Sequence, residues 1–385
     1  MSKKNLFISD IFPPDVGGSS NMFAGRLSFY SPENLCVLTS VKAKSAQFDT
    51  AQQYTIVRKK FRKKGISGFE WLTTVFDMFF AAVPILLTRR IDCIECARPF
   101  PEGVAGVALS FLFRKKLVVN YHGEELSVLG QYRIEKKVLQ IVIRYANLNL
   151  VNSQFTKSLL LKIGQSKNIS VVNPGFDEMY LKNETQVLPE HLKKYFTSSP
   201  VILTVGRLQK RKGQDSVIKA LPLLIKKHPS LHYLIVGSKQ GGDPGFTEEL
   251  YSLIQLHNLE KNVSIVGEVD QTELPLFFRN SDIFIMANRN ENNDREGFGI
   301  VFLEAGYCRM PVIGGNDGGP AEAIVDGETG FVVDGCSVDD IAEKIDKLLS
   351  DASLRDVMGE KGFQHASGMT HRYAFGAYEP LISKL

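Results

Sequence analysis

Short apolar runs alternate with longer helical patterns along almost the whole of this 385-residue chain. The apolar runs have the length of strands, and helical periodicity fills several of the intervals between them. Strands that alternate with helices need crossover connections, so the chain is predicted to form mainly parallel sheets. In the first half we predict strands at residues 6–9, 35–39, 54–57, 93–96, 117–120, 148–151 and 169–172, and helices at 69–87 and 104–113.

The alternation pauses at residues 173–200, which are rich in proline, glycine and polar residues, and then it starts again. Strands are predicted at residues 201–206, 232–237, 263–267, 282–287, 311–315 and 330–333, and helical patterns at 341–349 and 373–385. Four of these strands end in glycine, and in doubly wound sheets ligands bind beyond the carboxyl ends of the strands. We therefore predict an α/β protein with two doubly wound domains, residues 1–180 and 181–365. The pattern alone does not show which domain the C-terminal helix, about residues 366–385, belongs to. One arrangement is that it packs back on the first domain.

Two glutamates bracket a predicted helix start in the second half. Glu296 precedes a Gly-Phe-Gly turn, and Glu304 lies about one turn into a helical pattern of otherwise apolar residues. Because carboxylates accept hydrogen bonds from hydroxyls, Glu296 suits the hydroxyls of a sugar and Glu304 suits a vicinal diol such as ribose. The alternative is an acid beside the helix dipole and an exposed mid-helix glutamate. Free amides at a helix start bind anions, and here they are predicted to come from Gly297, Phe298, Gly299 and Ile300.

A basic loop follows the first predicted strand of the second domain. After the strand ends at Gly206, the cations Arg207, Lys210, Arg211 and Lys212 follow within six residues. Basic groups at the carboxyl end of a strand can hold a diphosphate, and Arg207 and Lys212 are predicted to stabilise the charge of a departing group. A solvated basic loop is the alternative, and it fits Lys210 and Arg211.

Two further candidate positions follow strands of the first domain. Gly17 and Gly18 come after the first strand and before a predicted helix, where the backbone can approach a phosphate or sugar closely. His122 follows the strand that ends at Asn120. A histidine at the carboxyl end of a strand either contacts a ligand or has a structural role, and the residues leave both open.

The chain lacks the patterns of the common metal and dinucleotide sites. No Asp-x-Asp occurs, and a metal-bridged diphosphate usually needs such paired carboxylates, so we predict no metal and no cofactor. The stretch GFGIVF lacks the third glycine of a dinucleotide-binding turn. Cys93 and Cys96 form a C-x-x-C within a predicted buried strand, and the five cysteines show no disulfide pattern. This favours a reducing compartment.

A basic run in the first half suggests an anionic partner. Residues 1–200 contain 27 lysines and arginines against 16 acidic residues. Six of the seven residues from Arg58 to Lys64 are basic, around Phe61, and Phe69 and Trp71 follow closely. This run suits an anionic membrane surface, and it equally suits a solvated loop before a core helix. No nucleic-acid-binding motif accompanies the charge, so a nucleic-acid partner is not expected.

The sequence predicts no signal peptide and no membrane span. The N-terminus has only three apolar residues before Ser9, which is too short for a signal peptide. The best span candidate, residues 71–87, contains Asp77 and Pro84 and falls short of a clean apolar stretch. We therefore expect a cytoplasmic protein.

Five segments in order resemble the motifs of one enzyme family. These are PPDVGG near the N-terminus, NPGFD at 173–177, VGRLQKRKG at 205–213, EGFGIVFLEA at 296–305 and GGPAEAI at 318–324. They are similar to the glycine loop, the interdomain N-G-V-D, the G-R-x(n)-K-G, the E-x7-E and the G-G-x-x-E elements of retaining GT-B glycosyltransferases of family four. The resemblance spans nearly the whole chain. It implies two Rossmann-like domains with a cleft between them, the first on the acceptor side and the second binding a nucleotide sugar.

The same resemblance implies a role for each candidate residue. Glu296 would contact the hydroxyls of the donor sugar and Glu304 the ribose. Arg207 and Lys212 would hold the diphosphate. His122 would lie at the reacting sugar, with Gly17 and Gly18 near the phosphates.

The implied activity is a metal-independent, retaining hexosyl transfer from a UDP-sugar or GDP-mannose to the hydroxyl of a glycan or a lipid-linked acceptor. Such a reaction belongs to cell-surface glycan or glycolipid synthesis, and the enzyme would be cytoplasmic or peripheral on the inner face of the cell membrane. Two alternatives remain open, a nucleotide-sugar epimerase of the same fold and a non-catalytic sugar-nucleotide sensor. The sequence names neither the base, the donor sugar nor the acceptor, and it gives the polar loop 288–295 no role.

Overall fold

The computed structural model describes residues 3–14, 17–62, 71–166, 168–182 and 187–385. The chain forms two compact domains. The first comprises Met1–Phe176 together with Thr370–Leu385, and the second comprises Asp177–Met369. The chain therefore changes domain four residues before the expected boundary, and its last helix returns to the first domain.

The first domain is built on a seven-stranded parallel sheet in the order β3-β2-β1-β4-β5-β6-β7. Its strands are β1 Asn5–Ser9, β2 Leu35–Ser40, β3 Thr55–Lys59, β4 Cys93–Cys96, β5 Lys116–Tyr121, β6 Leu148–Val151 and β7 Ile169–Val171. Its helices are α1 Gly18–Leu27, α2 Ser45–Thr50, α3 Trp71–Thr88, α4 Val104–Phe113, α5 Glu124–Leu129, α6 Arg133–Tyr145, α7 Gln154–Ile163 and the C-terminal α17 His371–Ser383.

Apolar side chains cover both faces of this sheet. Because side chains alternate along a strand, Ile94 of β4 points into a core formed with α3, α4, α6 and α7, whereas Cys93 points into a smaller core that contains Tyr378 of α17. The C-terminal helix is thus part of the first domain. Its Tyr378 also belongs to a buried polar network, in which the carboxylate of Glu95 accepts hydrogen bonds from Tyr378 and from the guanidinium of Arg26.

The second domain has a six-stranded parallel sheet in the order β10-β9-β8-β11-β12-β13. Its strands are β8 Val201–Val205, β9 His232–Val236, β10 Val263–Gly267, β11 Ile283–Met286, β12 Val312–Gly315 and β13 Gly330–Val333. Its helices are α8 Glu178–Leu181, α9 Glu190–Lys193, α10 Gln214–Leu224, α11 Phe246–Leu256, α12 Leu274–Arg279, α13 Ile300–Tyr307, α14 Pro320–Ala323, α15 Val338–Ser350 and α16 Ala352–Ser367.

The predicted strands are confirmed, each to within one or two residues at its ends. Continuous apolar runs of this length fit strands buried on both faces, which is what helix-covered parallel sheets require. The two sheets make each domain a Rossmann-like, doubly wound α/β unit, as predicted. The pause at 173–200 contains only the short helices α8 and α9 among its described residues.

Two aromatic residues in or near the basic run, Phe61 and Trp71, do not lie at the surface of the first domain. Phe61 and Trp71 are both buried in the core of the first domain, and the Trp71 ring lies 4.5 Å from that of Phe100. Of the two alternatives left open, a place for these two aromatic residues beside an anionic membrane is wrong, because both side chains are buried in the core of the domain. Phe69, Lys63 and Lys64 lie outside the described residues.

The sequence analysis rejected residues 71–87 as a membrane span because of Asp77 and Pro84, and the structure forms a helix there, α3, of 18 residues. By length and composition it is the one helix among the described residues that could cross a membrane, with a mean hydropathy of 1.7. About a third of it is buried inside the domain, and that side supplies Met78, Ala82 and Ile85 to the core. In this structure one face of α3 is therefore a core face.

Candidate active site

The basic loop of the second domain begins where β8 ends. Arg207 is exposed, and its Nη1 donates a hydrogen bond to the carbonyl oxygen of Gly241 at 3.2 Å. Lys210 is also near the surface and pairs with Glu249, with 2.8 Å between Nζ and Oε2. The next two cations point inward, because residues 210–212 form a short 3₁₀ turn that ends at Gly213.

Arg211 and Lys212 meet on one carboxylate. Nη1 of Arg211 lies 2.6 Å from Oε2 of Glu296, and Nζ of Lys212 donates to the same oxygen. The Arg211 side chain is only 8% exposed. Arg211 is therefore not a solvated loop residue, and that interpretation was wrong. Sequence reasoning missed it because Arg211 stands in a run of cations in which nothing marks one as buried.

The charges of this cluster shift the pKa values of its members. Burial opposes ionisation of Glu296, but Lys212 and Arg211 outweigh it and lower its pKa to about 2. Burial lowers the pKa of Lys212, and the attraction of Glu296 acts in the opposite direction. Two cations share the Glu296 carboxylate, and cations held in this way can bind an anionic ligand.

The polar loop 288–295 holds this cluster in place. Asp294 lies 3.1 Å from Nε of Arg211, whereas Glu296 contacts Nη1 of the same guanidinium. Arg289 pairs with Asp215 at 2.8 Å, and Arg295 pairs with Asp317 at 2.8 Å. The sequence analysis assigned this loop no role. In the structure its Asp294 pairs with Arg211, and its Arg289 and Arg295 pair with Asp215 and Asp317.

The Gly-Phe-Gly turn brings backbone groups to the start of α13. Gly299 adopts a left-handed conformation with φ of 84° and is the residue before the helix. The side chain of Phe298 is buried, so only its backbone is available to a ligand. A side chain at Gly319 would collide with the carbonyl of Gly297, so the G-G-x-x-E segment packs directly on the turn. Ile300 begins the helix with its amide free, as the expected anion-binding role requires.

Glu304 has a partner that the sequence analysis did not identify. The hydroxyl of Tyr180 in α8 donates a hydrogen bond to Oε1 of Glu304 at 2.6 Å. Burial raises the pKa of Glu304, while the hydrogen bond from Tyr180 lowers it in part. No local signal connects two residues 124 positions apart. The exposed mid-helix alternative is wrong, because the Glu304 side chain is partly buried and hydrogen-bonded.

His122 lies in the first domain at the end of β5. Its Nε2 is 3.0 Å from the carbonyl oxygen of Ala97, and its backbone amide donates to Oε1 of Glu125 at 2.6 Å. Burial lowers the pKa of His122 to about 4, although the Ala97 carbonyl acts against that shift. The imidazole is therefore neutral near pH 7. If the neutral ring carries its hydrogen on Nε2 and donates it to the Ala97 carbonyl, Nδ1 is left as an acceptor for a ligand hydroxyl.

The glycine loop also lies in the first domain. Gly17 and Gly18 are exposed, and α1 begins at Gly18 without a side-chain cap. The loop therefore presents open backbone at the carboxyl end of β1. Within the part of the chain that the structure describes, no group of three or more His, Cys, Asp or Glu residues is arranged to hold a metal ion.

Comparison with known proteins decides the family. Residues 190–365 match the model described as "Glycosyl transferases group 1", and residues 43–179 match "Glycosyltransferase Family 4". A GDP-mannose-dependent alpha-(1-6)-phosphatidylinositol monomannoside mannosyltransferase of Mycobacterium tuberculosis is 31% identical over 379 residues, covering 93% of this chain and 92% of that protein. This chain belongs to the family four glycosyltransferases.

Other similarities agree with this family. A GDP-mannose-dependent monoacylated alpha-(1-6)-phosphatidylinositol monomannoside mannosyltransferase of Corynebacterium glutamicum is 28% identical, covering 94% of this chain and 93% of that protein. The crystal structure of Anabaena Alr3699/HepE in complex with UDP and glucose has a TM-score of 0.80 and 20% identity over 100% of both chains. That likeness establishes the GT-B fold of this glycosyltransferase, an enzyme that uses a nucleotide sugar.

The structure brings together part of the set of residues expected for this glycosyltransferase. In the second domain, Lys212 and Glu296 are joined directly, and Arg211 joins them. Arg207 lies beside Gly241, and its charge acts with burial to lower the pKa of Lys212. Glu304 lies in α13, eight residues beyond Glu296 in the sequence, and is held by Tyr180. His122 and the glycine pair belong to the first domain.

Proposed function

We propose that this protein is a retaining mannosyltransferase that moves mannose from GDP-mannose to a hydroxyl of a glycolipid acceptor. The observation that carries the proposal is the cluster of Arg211, Lys212 and Glu296 at the carboxyl end of β8. Two buried cations beside a carboxylate can bind a diphosphate and a sugar hydroxyl together. GDP-mannose is favoured over a UDP-sugar because relatives aligned over more than 90% of this chain carry GDP-mannose in their names.

In the proposed mechanism the enzyme positions the donor and stabilises charge. Lys212 and Arg207 bind the diphosphate, so that negative charge developing on the departing group is compensated. Arg211 keeps Glu296 ionised and oriented toward the hydroxyls of the sugar. Glu304 accepts hydrogen bonds from the ribose. The acceptor hydroxyl attacks C1 of mannose on the face that the diphosphate leaves; the bond from C1 to the diphosphate oxygen breaks, and the hydroxyl proton passes to that departing oxygen. Holding the reactants in this geometry supplies much of the rate.

We also propose that no metal is required. Cations on the protein supply the charge that a divalent ion would supply to the diphosphate, and two of them, Lys212 and Arg211, are already anchored on Glu296. An anchored cation needs little reorganisation when a charge develops beside it.

Glycolipid acceptors lie in membranes, and the first domain offers a surface for one. The helices α3, α4 and α6 pack side by side. Their outer sides expose Phe76, Phe80, Phe111 and Tyr145, and the rings of Phe111 and Tyr145 are 5.1 Å apart. We define these four aromatic residues as the aromatic face.

Basic residues border the aromatic face. Arg144 lies over the Tyr145 ring at 5.9 Å, and Arg114, Lys115 and Lys116 follow Phe113 at the end of α4. Exposed aromatics beside cations suit the surface of an anionic bilayer. We therefore propose this face, rather than the run from Arg58 to Lys64 with its buried aromatics, as the peripheral membrane contact at the inner face of the cell membrane.

A panel of nucleotide sugars tests the proposed function. The protein is incubated with each donor, with and without phosphatidylinositol mannoside, and release of the free nucleotide is measured. We expect release from GDP-mannose that depends on the acceptor. Donor conversion that is independent of acceptor would favour an epimerase, and tight binding of every donor without turnover would favour a sensor.

A further inference from the structure

Arg58 begins the basic run but does not behave as a surface cation. Its side chain is 8% exposed. Nε donates to Oδ2 of Asp49 at 2.8 Å, Nη1 donates to the carbonyl of Ser40 at 2.8 Å, and Nη2 donates to the carbonyl of Pro13 at 2.6 Å. One planar guanidinium therefore joins the end of β2, the helix α2 and the loop that follows β1.

The same loop is held from its other side. The backbone amide of Asp10 donates to Oε1 of Glu102 at 3.0 Å, and Nη2 of Arg98 lies 2.9 Å from that oxygen. Ser40 Oγ also donates to the carbonyl of Asp10 at 3.1 Å. Glu102 is completely buried. The loop is thus fixed at Asp10 by Glu102 and at Pro13 by Arg58, a few residues before the glycine pair.

We propose that Arg58 is a positioning residue for the glycine loop, acting on the described residues 10–14 that precede Gly17 and Gly18. The proposal rests on the proposed function, since it assumes that this loop contacts the donor. Arg58 touches no reacting atom. Its planar guanidinium holds the carbonyl of Pro13, four residues before Gly17, while it also bonds Asp49 and Ser40.

The chain contains a matched control for this arginine. Arg62 also pairs with an aspartate through two nitrogens, with Nη2 2.7 Å from Oδ1 of Asp77. Arg62 is exposed, and its hydrogen bonds join it to Asp77 and Thr74. Replacing either arginine removes one charge and one ion pair, but of the two only Arg58 bonds the carbonyl of Pro13.

The experiment compares Arg58→Gln with Arg62→Gln in the full-length protein. We expect kcat of Arg58→Gln to fall by about 10- to 100-fold, as small misplacements of a positioned group do. Its affinity for GMP, which carries the ribose bound by Glu304 in the second domain, should stay at the wild-type value. Arg62→Gln should keep the wild-type kcat, and Arg58→Gln should still bind anionic vesicles.

Three results would overturn the proposal. These are a wild-type kcat in Arg58→Gln, equal losses of kcat in the two variants, or loss of GMP affinity in parallel with kcat. If Arg58→Gln does not fold, Asp49→Asn replaces it, because it removes the carboxylate beneath the guanidinium and keeps the arginine. The same direction of change in kcat is then expected, and an unchanged kcat contradicts the proposal. Failure of the proposed function would be distinct, since the wild-type protein would then transfer no sugar.

Discussion

Nη1 of Arg211 lies 2.6 Å from Oε2 of Glu296, the oxygen that Lys212 also contacts. When a diphosphate engages Lys212, Arg211 remains to hold the carboxylate. We predict that Arg211→Gln lowers kcat/KM by roughly 10- to 150-fold, which corresponds to the loss of about 1.5–3 kcal/mol from a hydrogen bond to a charged group. Steady-state kinetics measure this. Lys210→Gln, which changes the exposed neighbouring cation, should leave kcat/KM unchanged, and a similar effect of both variants would contradict the role of Arg211.

The hydroxyl of Tyr180 is predicted to support nucleotide binding through Glu304. The folded state raises the pKa of Glu304, so the carboxylate is ionised above that raised pKa and neutral below it. Tyr180→Phe removes a hydrogen bond that lowers this pKa, so the pKa should rise further and GDP affinity should fall more at pH 6 than at pH 8. Calorimetry at the two pH values provides the measurement. Tyr251→Phe on the exposed side of α11 is the control, and tighter GDP binding by Tyr180→Phe would show that the hydroxyl competes with ribose.

Activity is predicted to survive removal of divalent ions. Lys212 and Arg207 supply positive charge to the diphosphate in the proposed mechanism, so removal of divalent ions by a chelator should not slow the transfer. The measurement is the rate of transfer in EDTA and after later addition of Mg²⁺ or Mn²⁺. Complete loss in EDTA that either ion restores would refute metal independence.

The aromatic face is predicted to bind anionic vesicles weakly and in a salt-sensitive manner. Each cation near such a surface contributes about 1 kcal/mol, and salt screens that attraction. Co-sedimentation with anionic and neutral vesicles at low and high salt measures the binding. Replacing Phe80 and Phe111 by serine should abolish it, whereas replacing the exposed Lys59 and Lys60 by serine should weaken it only slightly. A larger loss of binding in the Lys59 and Lys60 variant would show that the basic run makes the membrane contact. Equal binding to anionic and neutral vesicles would contradict the proposal.

The fold followed from local patterns to a large extent. Strands such as Cys93–Cys96 and Leu148–Val151 were predicted at their exact bounds, because a strand buried on both faces must be apolar throughout. The start of α13 after Gly299 was also readable, since glycine there adopts a left-handed conformation. Such features depend on residues that are close in the sequence.

The parts that sequence reasoning missed depend on distant contacts. The buried state of Arg211 is set by Asp294 and Glu296, more than 80 residues away. For Trp71, which follows six cations, the sequence left a membrane surface and a core helix open, and in the structure it packs against Phe100. An aromatic residue suits a core and a membrane surface equally well, and only the tertiary packing separates the two.

The most direct test of the account is the anomeric configuration of the product. The protein is supplied with GDP-mannose, in which mannose is α-linked, and with phosphatidylinositol mannoside, and the new linkage is assigned by NMR. We expect acceptor-dependent release of GDP and an α-mannosidic product. A β-mannosidic product would contradict retention, and the absence of mannose on the acceptor while GDP-mannose is consumed would contradict glycosyl transfer itself.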